Sequence, residues 1–251
     1  MKKTLLIAAL AGVAAVPSVS ADTLLGVYAG AQYWDTGTSG GFASTNSTAD
    51  FDFDDEGETA FYIAFEHFVP FVPNIKVAHT TLESNGSTLL TSNFEFDGTL
   101  YTVGSTVDTI SDITSTDFIL YYELFDNDLL SFDLGINGKY IDGTLNVADT
   151  ASNLMSQEEF SGVIPMLYSR VEVGLPFTGL SAYAEGSYLT FDDHELSDFQ
   201  VAITYDLIES VALDLTLQVG YRDVTVDVED LDDIYADLSY DGVFAGIEMH
   251  F

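Results

Sequence analysis

The sequence predicts an all-β fold, a transmembrane antiparallel up-and-down β-barrel with ten strands. Ten segments alternate apolar and polar residues, their connections alternate between short and long, and their apolar faces end on aromatic residues. The chain is 47% hydrophobic, with 18 Phe and 14 Tyr beside 41 acidic residues, and strands can hold such contrasting properties on opposite faces. Eight or twelve strands stay open, because residues 83–113 could contain another hairpin.

Residues 1–21 predict a secretory signal peptide that is cleaved after Ala21. Lys2 and Lys3 precede an apolar run that is too short to cross a membrane as a helix, and small residues follow at the cleavage site. The absence of cysteine fits export without disulfides. We therefore expect residues 22–251 to form one outer-membrane barrel with acidic extracellular loops.

The ten alternating segments each reach the length of a membrane-crossing strand or approach it. The clearest is the fifth, in which Leu130, Leu134 and Ile136 share one face. In chain order the segments are 24–34, 59–67, 75–82, 116–124, 130–140, 163–175, 180–189, 199–205, 213–222 and 242–251.

The connections predict which end of the barrel faces which side. Short turns join segments two to three, four to five, six to seven and eight to nine. The connections 35–57, 83–113, 142–160 and 223–237 are long or acidic, and 192–198 is shorter. Short turns and both termini at one end, with longer loops at the other, are the plan of an outer-membrane barrel.

The charges predict a plugged lumen and exclude nucleic acid as a partner. Without the signal peptide, four basic residues stand against 41 acidic ones, a formal charge of −37, whereas nucleic-acid binding requires basic side chains. The four basic residues fall on the polar faces, where charges must be paired if they are enclosed, and about ten strands leave a narrow interior. The predicted lumen charge network is Lys76, Lys139, Arg170, Arg222, Glu66, Asp133, Glu172, Glu185, Asp214 and Glu248.

Aromatic residues on the apolar faces predict two membrane–water boundaries. The loop-end girdle is Tyr33, Tyr140, Tyr188 and Tyr221, and the turn-end girdle is Phe65, Tyr122, Tyr205 and Phe251. This placement predicts the outer membrane of a Gram-negative bacterium, reached through the periplasm, with membrane lipid and lipopolysaccharide as partners. We expect a monomer.

The final residues resemble the C-terminal signature of bacterial outer-membrane proteins. Ile247, Met249 and Phe251 form an alternating apolar end, which in that class is read by the outer-membrane assembly machinery. The segments 65–77, 121–127 and 160–191 resemble a family of small outer-membrane β-barrel proteins of marine and related Gram-negative bacteria. That family has no established activity, so the resemblance implies fold and location and no site residues.

The residues favour a non-enzymatic structural or surface-interaction role. One alternative is a narrow, cation-preferring, porin-like pore. Another is a hydrolase at the extracellular rim, where Asp193 and His194 offer the residue types of a water-activating pair. His79 has no persuasive Ser partner for lipid hydrolysis.

The sequence predicts no cofactor, with only weak divalent-cation binding at the acidic loops. The candidate metal ligands are Asp50, Asp52 and Asp54, which alternate as in a calcium loop. Gly57 comes two residues too late for the EF-hand turn, and no bidentate Glu follows at the twelfth position.

Overall fold

The computed structural model describes residues 25–46, 48–127, 129–191, 194–210, 213–231 and 234–251. The predicted signal peptide, residues 1–21, lies outside this range. The described residues form thirteen strands: β1 Leu25–Ala43, β2 Ala49–Asp50, β3 Glu56–His67, β4 Asn74–Leu89, β5 Phe94–Phe96, β6 Thr99–Tyr101, β7 Thr106–Asn127, β8 Leu130–Asp149, β9 Leu154–Leu175, β10 Leu180–Phe191, β11 His194–Ile208, β12 Asp214–Leu231 and β13 Ile234–His250. None of the described residues belongs to a helix long and apolar enough to cross a membrane.

Ten of these strands close into a barrel. The order is β1, β3, β4, β7, β8, β9, β10, β11, β12 and β13, and each strand pairs with the next in chain order. β13 returns to pair antiparallel with β1, from Tyr28 opposite His250 to Ala43 opposite Tyr235. Closure leaves no unpaired edge in the barrel wall. The predicted ten-stranded antiparallel up-and-down barrel is thereby confirmed.

Several strands are about twice as long as the ~9–11 residues needed to cross a bilayer. β7 and β9 each have 22 residues, and β8 has 20. The predicted loops 83–113 and 142–160 are wrong over much of their length, because they continue the strands up to Leu89 opposite Thr106 and Asp149 opposite Leu154. The predicted loop 223–237 likewise continues β12 and β13, and 35–57 contains the end of β1.

The strand extensions escape a search for one apolar face because the polarity of the two faces is exchanged partway along the strand. On β8, Tyr140 points outward, and then Ile141 is buried inside while Asp142 is exposed outside. β12 repeats the change, with Tyr221 and Asp223 outward and Val224 buried. The period of two is unbroken, but beyond the tyrosines the apolar residues point into the barrel.

The loop-side half of the barrel is therefore filled by an apolar core. Side chains from strands around the whole wall meet there, and all are less than 10% exposed. They include Trp34, Phe42, Leu82, Leu145, Leu238 and Phe244.

A short hairpin, β5–β6, lies across the loop-side mouth of the barrel. Its turn is Asp97–Gly98, with φ of 46° and 64°, as a type I′ turn requires. On one side Phe96 packs against Phe42 of β1, with ring centroids 5.0 Å apart. On the other side the Tyr101 hydroxyl donates to Ser156 of β9 at 3.0 Å. β1 and β9 are opposite in the ring of ten, so the hairpin within 83–113 caps the barrel and adds no strand to its wall.

Candidate functional site: the charged lumen and the acidic cup

The residues of the two predicted aromatic girdles lie on the outer wall. All eight residues point outward and are between 37% and 58% exposed. Between the girdles the outward side chains are apolar, including Ile63, Phe118, Ile136, Leu167, Val201 and Ile203. The turn end also exposes Phe68 and Phe71, which sequence reasoning missed, and the Phe71 carbonyl accepts a hydrogen bond from Tyr122 at 3.0 Å.

Beyond the loop-end girdle the outer wall becomes acidic. Asp223 lies directly opposite Asp241, and Asp227 lies opposite both Asp237 and Glu195. These carboxylates lie past Tyr221, beyond the apolar part of the outer wall. Partial burial and the opposing carboxylates raise the pKa of Asp223 and of Asp227, because neighbouring negative charges disfavour the ionised form.

Inside the barrel, Glu185 holds two basic side chains. It accepts from Lys76 at 2.5 Å and from Arg170 at 2.7 Å, and its side chain is 8% exposed. Arg170 also contacts Glu172 at 2.7 Å. β9 and β10 place Arg170 opposite Glu185, so the strand register forms this pair directly.

The other two basic residues share a different acid. Asp198 lies 3.0 Å from Lys139 and 2.8 Å from Arg222, and Lys139 is also 2.9 Å from Asp117. Asp117 and Asp198 were not in the predicted network. The position of Asp117 on the polar face of the segment 116–124 is a usable signal. Asp198 falls in the predicted connection 192–198, but it belongs to β11. We call these eight side chains the charge lattice: Lys76, Lys139, Arg170, Arg222, Asp117, Glu172, Glu185 and Asp198.

Three cations of the charge lattice also lie over aromatic rings. Lys76 is 4.6 Å from the centre of Tyr62, and Arg170 is 4.1 Å from that of Tyr183. Arg222 is 5.1 Å from Trp34. The negative face of an aromatic ring attracts such cations, so the lumen stabilises each of them with both a carboxylate and a ring.

The turn-side half of the lumen is an open cavity of about 560 Å³, which we call the acidic cup. The predicted network residues Glu66, Asp133, Glu172, Asp214 and Glu248 line it, with Lys76 and Arg170. Sequence reasoning missed four further carboxylates of the cup, Glu123, Asp126, Asp206 and Glu209. The described lining therefore contains nine carboxylates and, besides His250, two basic side chains.

Tyrosines form part of the wall of the acidic cup. The Tyr62 hydroxyl donates to Glu248 at 2.5 Å, and the Tyr121 hydroxyl donates to Glu66 at 2.7 Å. The Tyr62 ring fits because Gly30 faces it: a Cβ at Gly30 would lie 2.1 Å from the ring. Beyond Tyr62 and Lys76, a chamber of about 50 Å³ continues towards the charge lattice.

Among the described residues, the predicted metal ligands do not form a metal-binding cluster, and of the predicted hydrolase pair only His194 is described. Asp50, Asp52 and Asp54 are exposed, and within the described ranges no three His, Asp or Glu side chains are grouped to hold a metal ion. Asp193 lies outside the described residues. The Nδ1 atom of His194 accepts from the backbone N–H of Glu229 at 3.3 Å, and His79 contacts Thr116 at 3.0 Å.

The remaining histidines lie at the turn end. His67 accepts from the backbone N–H of Val69 at 3.2 Å. His250 stacks on Tyr28 with ring centres 4.2 Å apart and lies 3.5 Å from Asp214.

Comparison with known proteins gives similarity in structure alone. No protein-family model and no curated protein matches the sequence. The transport unit of the autotransporter AIDA-I from Escherichia coli has a TM-score of 0.42 at 6% identity, covering 96% of this chain and 94% of that one. A Pseudomonas aeruginosa FadL homologue has a TM-score of 0.35 at 7% identity, covering 90% of each chain. The Pseudomonas putida toluene transporter TodX has a TM-score of 0.31 at 8% identity, covering 90% of this chain and 89% of that one. Similarities of this size carry no argument about function, and the barrel rests on its own strand register.

Proposed function

We propose that the protein is a non-enzymatic, integral outer-membrane barrel with a closed lumen and a structural or surface-interaction role. The observation that carries the proposal is the apolar core of the loop-side half, which is covered by the β5–β6 hairpin. An aqueous pore needs a continuous polar path, whereas the path through this lumen ends at side chains such as Trp34 and Leu238, each 1% exposed.

The outer wall supports a place in the membrane. Large apolar side chains that would be costly to expose to water form a continuous belt between two aromatic girdles. In outer-membrane barrels the short turns face the periplasm, which puts the acidic walls of β11, β12 and β13 at the outer surface. We propose membrane lipid and lipopolysaccharide as the partners there, with divalent cations bound weakly between lipid phosphates and these carboxylates.

The test is the conductance of the refolded protein in planar bilayers, with and without calcium. We expect no channel steps in either condition. A useful comparison is a variant in which Trp34, Phe42, Leu82 and Leu238 are all changed to Ser, because it makes the core polar without touching the outer belt. Steady cation-selective steps from the unchanged protein would refute the closed lumen and favour the narrow pore.

The non-enzymatic part of the proposal has its own test. The purified protein is assayed for peptide and ester hydrolysis beside the His194→Ala variant. We expect the same background rate from both, because the Nδ1 atom of His194 is bonded to a backbone N–H. Hydrolysis that disappears in His194→Ala would instead favour the rim hydrolase.

A further inference from the structure

The acidic cup has more negative charge than its own cations neutralise. Nine carboxylates line it, against Lys76, Arg170 and His250. Lys76 and Arg170 both bond to Glu185, and of the nine cup carboxylates Arg170 also bonds to Glu172. An enclosed excess of one charge attracts ligands of the opposite charge.

Asp133 is the clearest unmatched group in the cup. It is 7% exposed, and among the described residues no hydrogen bond or ion pair within 4.0 Å reaches its carboxylate. Arg170 is its register partner across β8 and β9, but the guanidinium contacts Glu172 and Glu185 instead, each at 2.7 Å. A buried carboxylate without a partner is costly, and a cation in the cup would remove that cost.

The contacts of Lys76 and Arg170 show which groups surround a positive charge in this lumen. Lys76 lies against the ring of Tyr62 and the carboxylate of Glu185, and Arg170 lies against Tyr183 and Glu185. The cup offers the same combination at Tyr121 and Glu66, whose side chains are 2.7 Å apart, with Tyr28 beside them. No basic side chain of the described residues lies within 4.0 Å of Glu66.

We propose that the acidic cup binds an organic polycation, an alkyl chain bearing two or more protonated amines. A chelated metal ion fits less well, because the described carboxylates are spread around the cavity and no three metal-ligating side chains converge. A cavity of about 560 Å³ is in the range of small-molecule sites, and its separated carboxylates and aromatic rings suit separated ammonium groups. Entry from the periplasm follows from the membrane orientation proposed above, but the binding itself does not depend on it.

The experiment is isothermal titration of the refolded, full-length mature barrel in detergent with spermidine, repeated in excess MgCl2. We expect saturable binding that Mg²⁺ weakens only slightly. Asp133→Asn should weaken it about tenfold, because a charge-assisted hydrogen bond is lost. Asp142→Asn is the matched control, since it neutralises an exposed carboxylate on the outer wall at the opposite end. Its affinity should equal that of the unchanged protein.

A second variant separates the aromatic part of the site from simple charge. Tyr28→Leu keeps every carboxylate and should weaken spermidine binding about threefold, through loss of a cation–π contact. Asp133→Asn removes one of several crowded negative charges, so the barrel should still fold, which circular dichroism checks. The proposal is overturned by the absence of saturable heat, by equal affinity in Asp133→Asn, or by complete displacement by Mg²⁺. Because the titration needs no bilayer, its result is independent of the conductance test.

Discussion

Glu185 should be the most sensitive carboxylate of the charge lattice, because two buried cations depend on it. Glu185→Gln removes the charge opposite Lys76, at 2.5 Å, and Arg170, at 2.7 Å. Arg170 keeps Glu172, but Lys76 has no second carboxylate within 4.0 Å among the described residues, and it is 7% exposed. Breaking a buried pair by removing one partner costs about 3–5 kcal/mol, and we expect that loss in the free energy of unfolding.

The assay is equilibrium unfolding in urea with lipid vesicles, followed by the fluorescence of Trp34. It is the single Trp of the chain and lies 1% exposed beside Arg222, so its signal reports the lumen. The matched control is Glu172→Gln, the same chemical change at a side chain that is 31% exposed and leaves Arg170 paired. We expect a loss of about 1 kcal/mol or less there.

A double variant identifies the cause. Adding Lys76→Met to Glu185→Gln removes the unpaired charge and should recover a large part of the lost stability. Equal losses in Glu185→Gln and Glu172→Gln, or no recovery in the double variant, would show that the lumen is hydrated enough to tolerate an unpaired lysine. The argument from burial would then be refuted.

Three further predictions concern the wall and the C-terminus. Ile203 lies in the apolar belt of the outer wall and is 64% exposed. Ile203→Arg should lower the free energy of unfolding in vesicles by about 2–4 kcal/mol, because it places a charge in lipid, whereas Glu195→Arg on the same strand should not. Equal effects of the two substitutions would contradict the membrane assignment. Burial and the carboxylates of Asp237 and Glu195 raise the pKa of Asp227, so the stability it contributes is complete below the usual aspartate pKa and is lost as pH rises through the raised value. Asp227→Asn should therefore raise the free energy of unfolding at pH 7 by up to about 1 kcal/mol and leave it unchanged near pH 3. Urea titrations at the two pH values measure this. A gain of the same size at both pH values would show that charge is not the cause. Removal of Phe251 should reduce the amount of barrel in the outer membrane of cells, measured by immunoblot. Refolding of the purified chain, measured by gel mobility, should stay unchanged. A decrease in both membrane insertion and refolding would indicate that Phe251 has a purely structural role.

The barrel could be predicted from sequence because its lipid-facing segments obey one rule throughout. From Leu130 to Tyr140, for instance, the outward residues at every second position are apolar or Gly138. The rule stops at the girdle, where Ile141 and Val224 belong to the inward face. A search for one continuous apolar face ends the strand there, so the extensions were assigned to loops.

The ion pairs of the lumen are harder to predict than the outer wall, because they depend on the register between strands and on how the barrel closes. The sequence predicts that Lys139 and Arg222 lie on the polar faces. It does not predict that both contact Asp198. Asp198 lies on β11, beside the β12 strand of Arg222, but β8 is not a neighbour of β11, so Lys139 reaches Asp198 across the interior. Likewise, the turn Asp97–Gly98 predicts a hairpin, whereas its position over the mouth depends on contacts with β1 and β9.

In the membrane placement proposed above, the exchange of polarity along the strands also determines how deeply the barrel can sit in the bilayer. An inward shift by two residues would carry Asp142 and Asp241 into hydrocarbon, at a cost of kilocalories for each charge. An outward shift would bring the apolar belt at Tyr140 and Val243 into water. The protein therefore has one preferred immersion depth, and a bilayer of different thickness must thin or thicken around it.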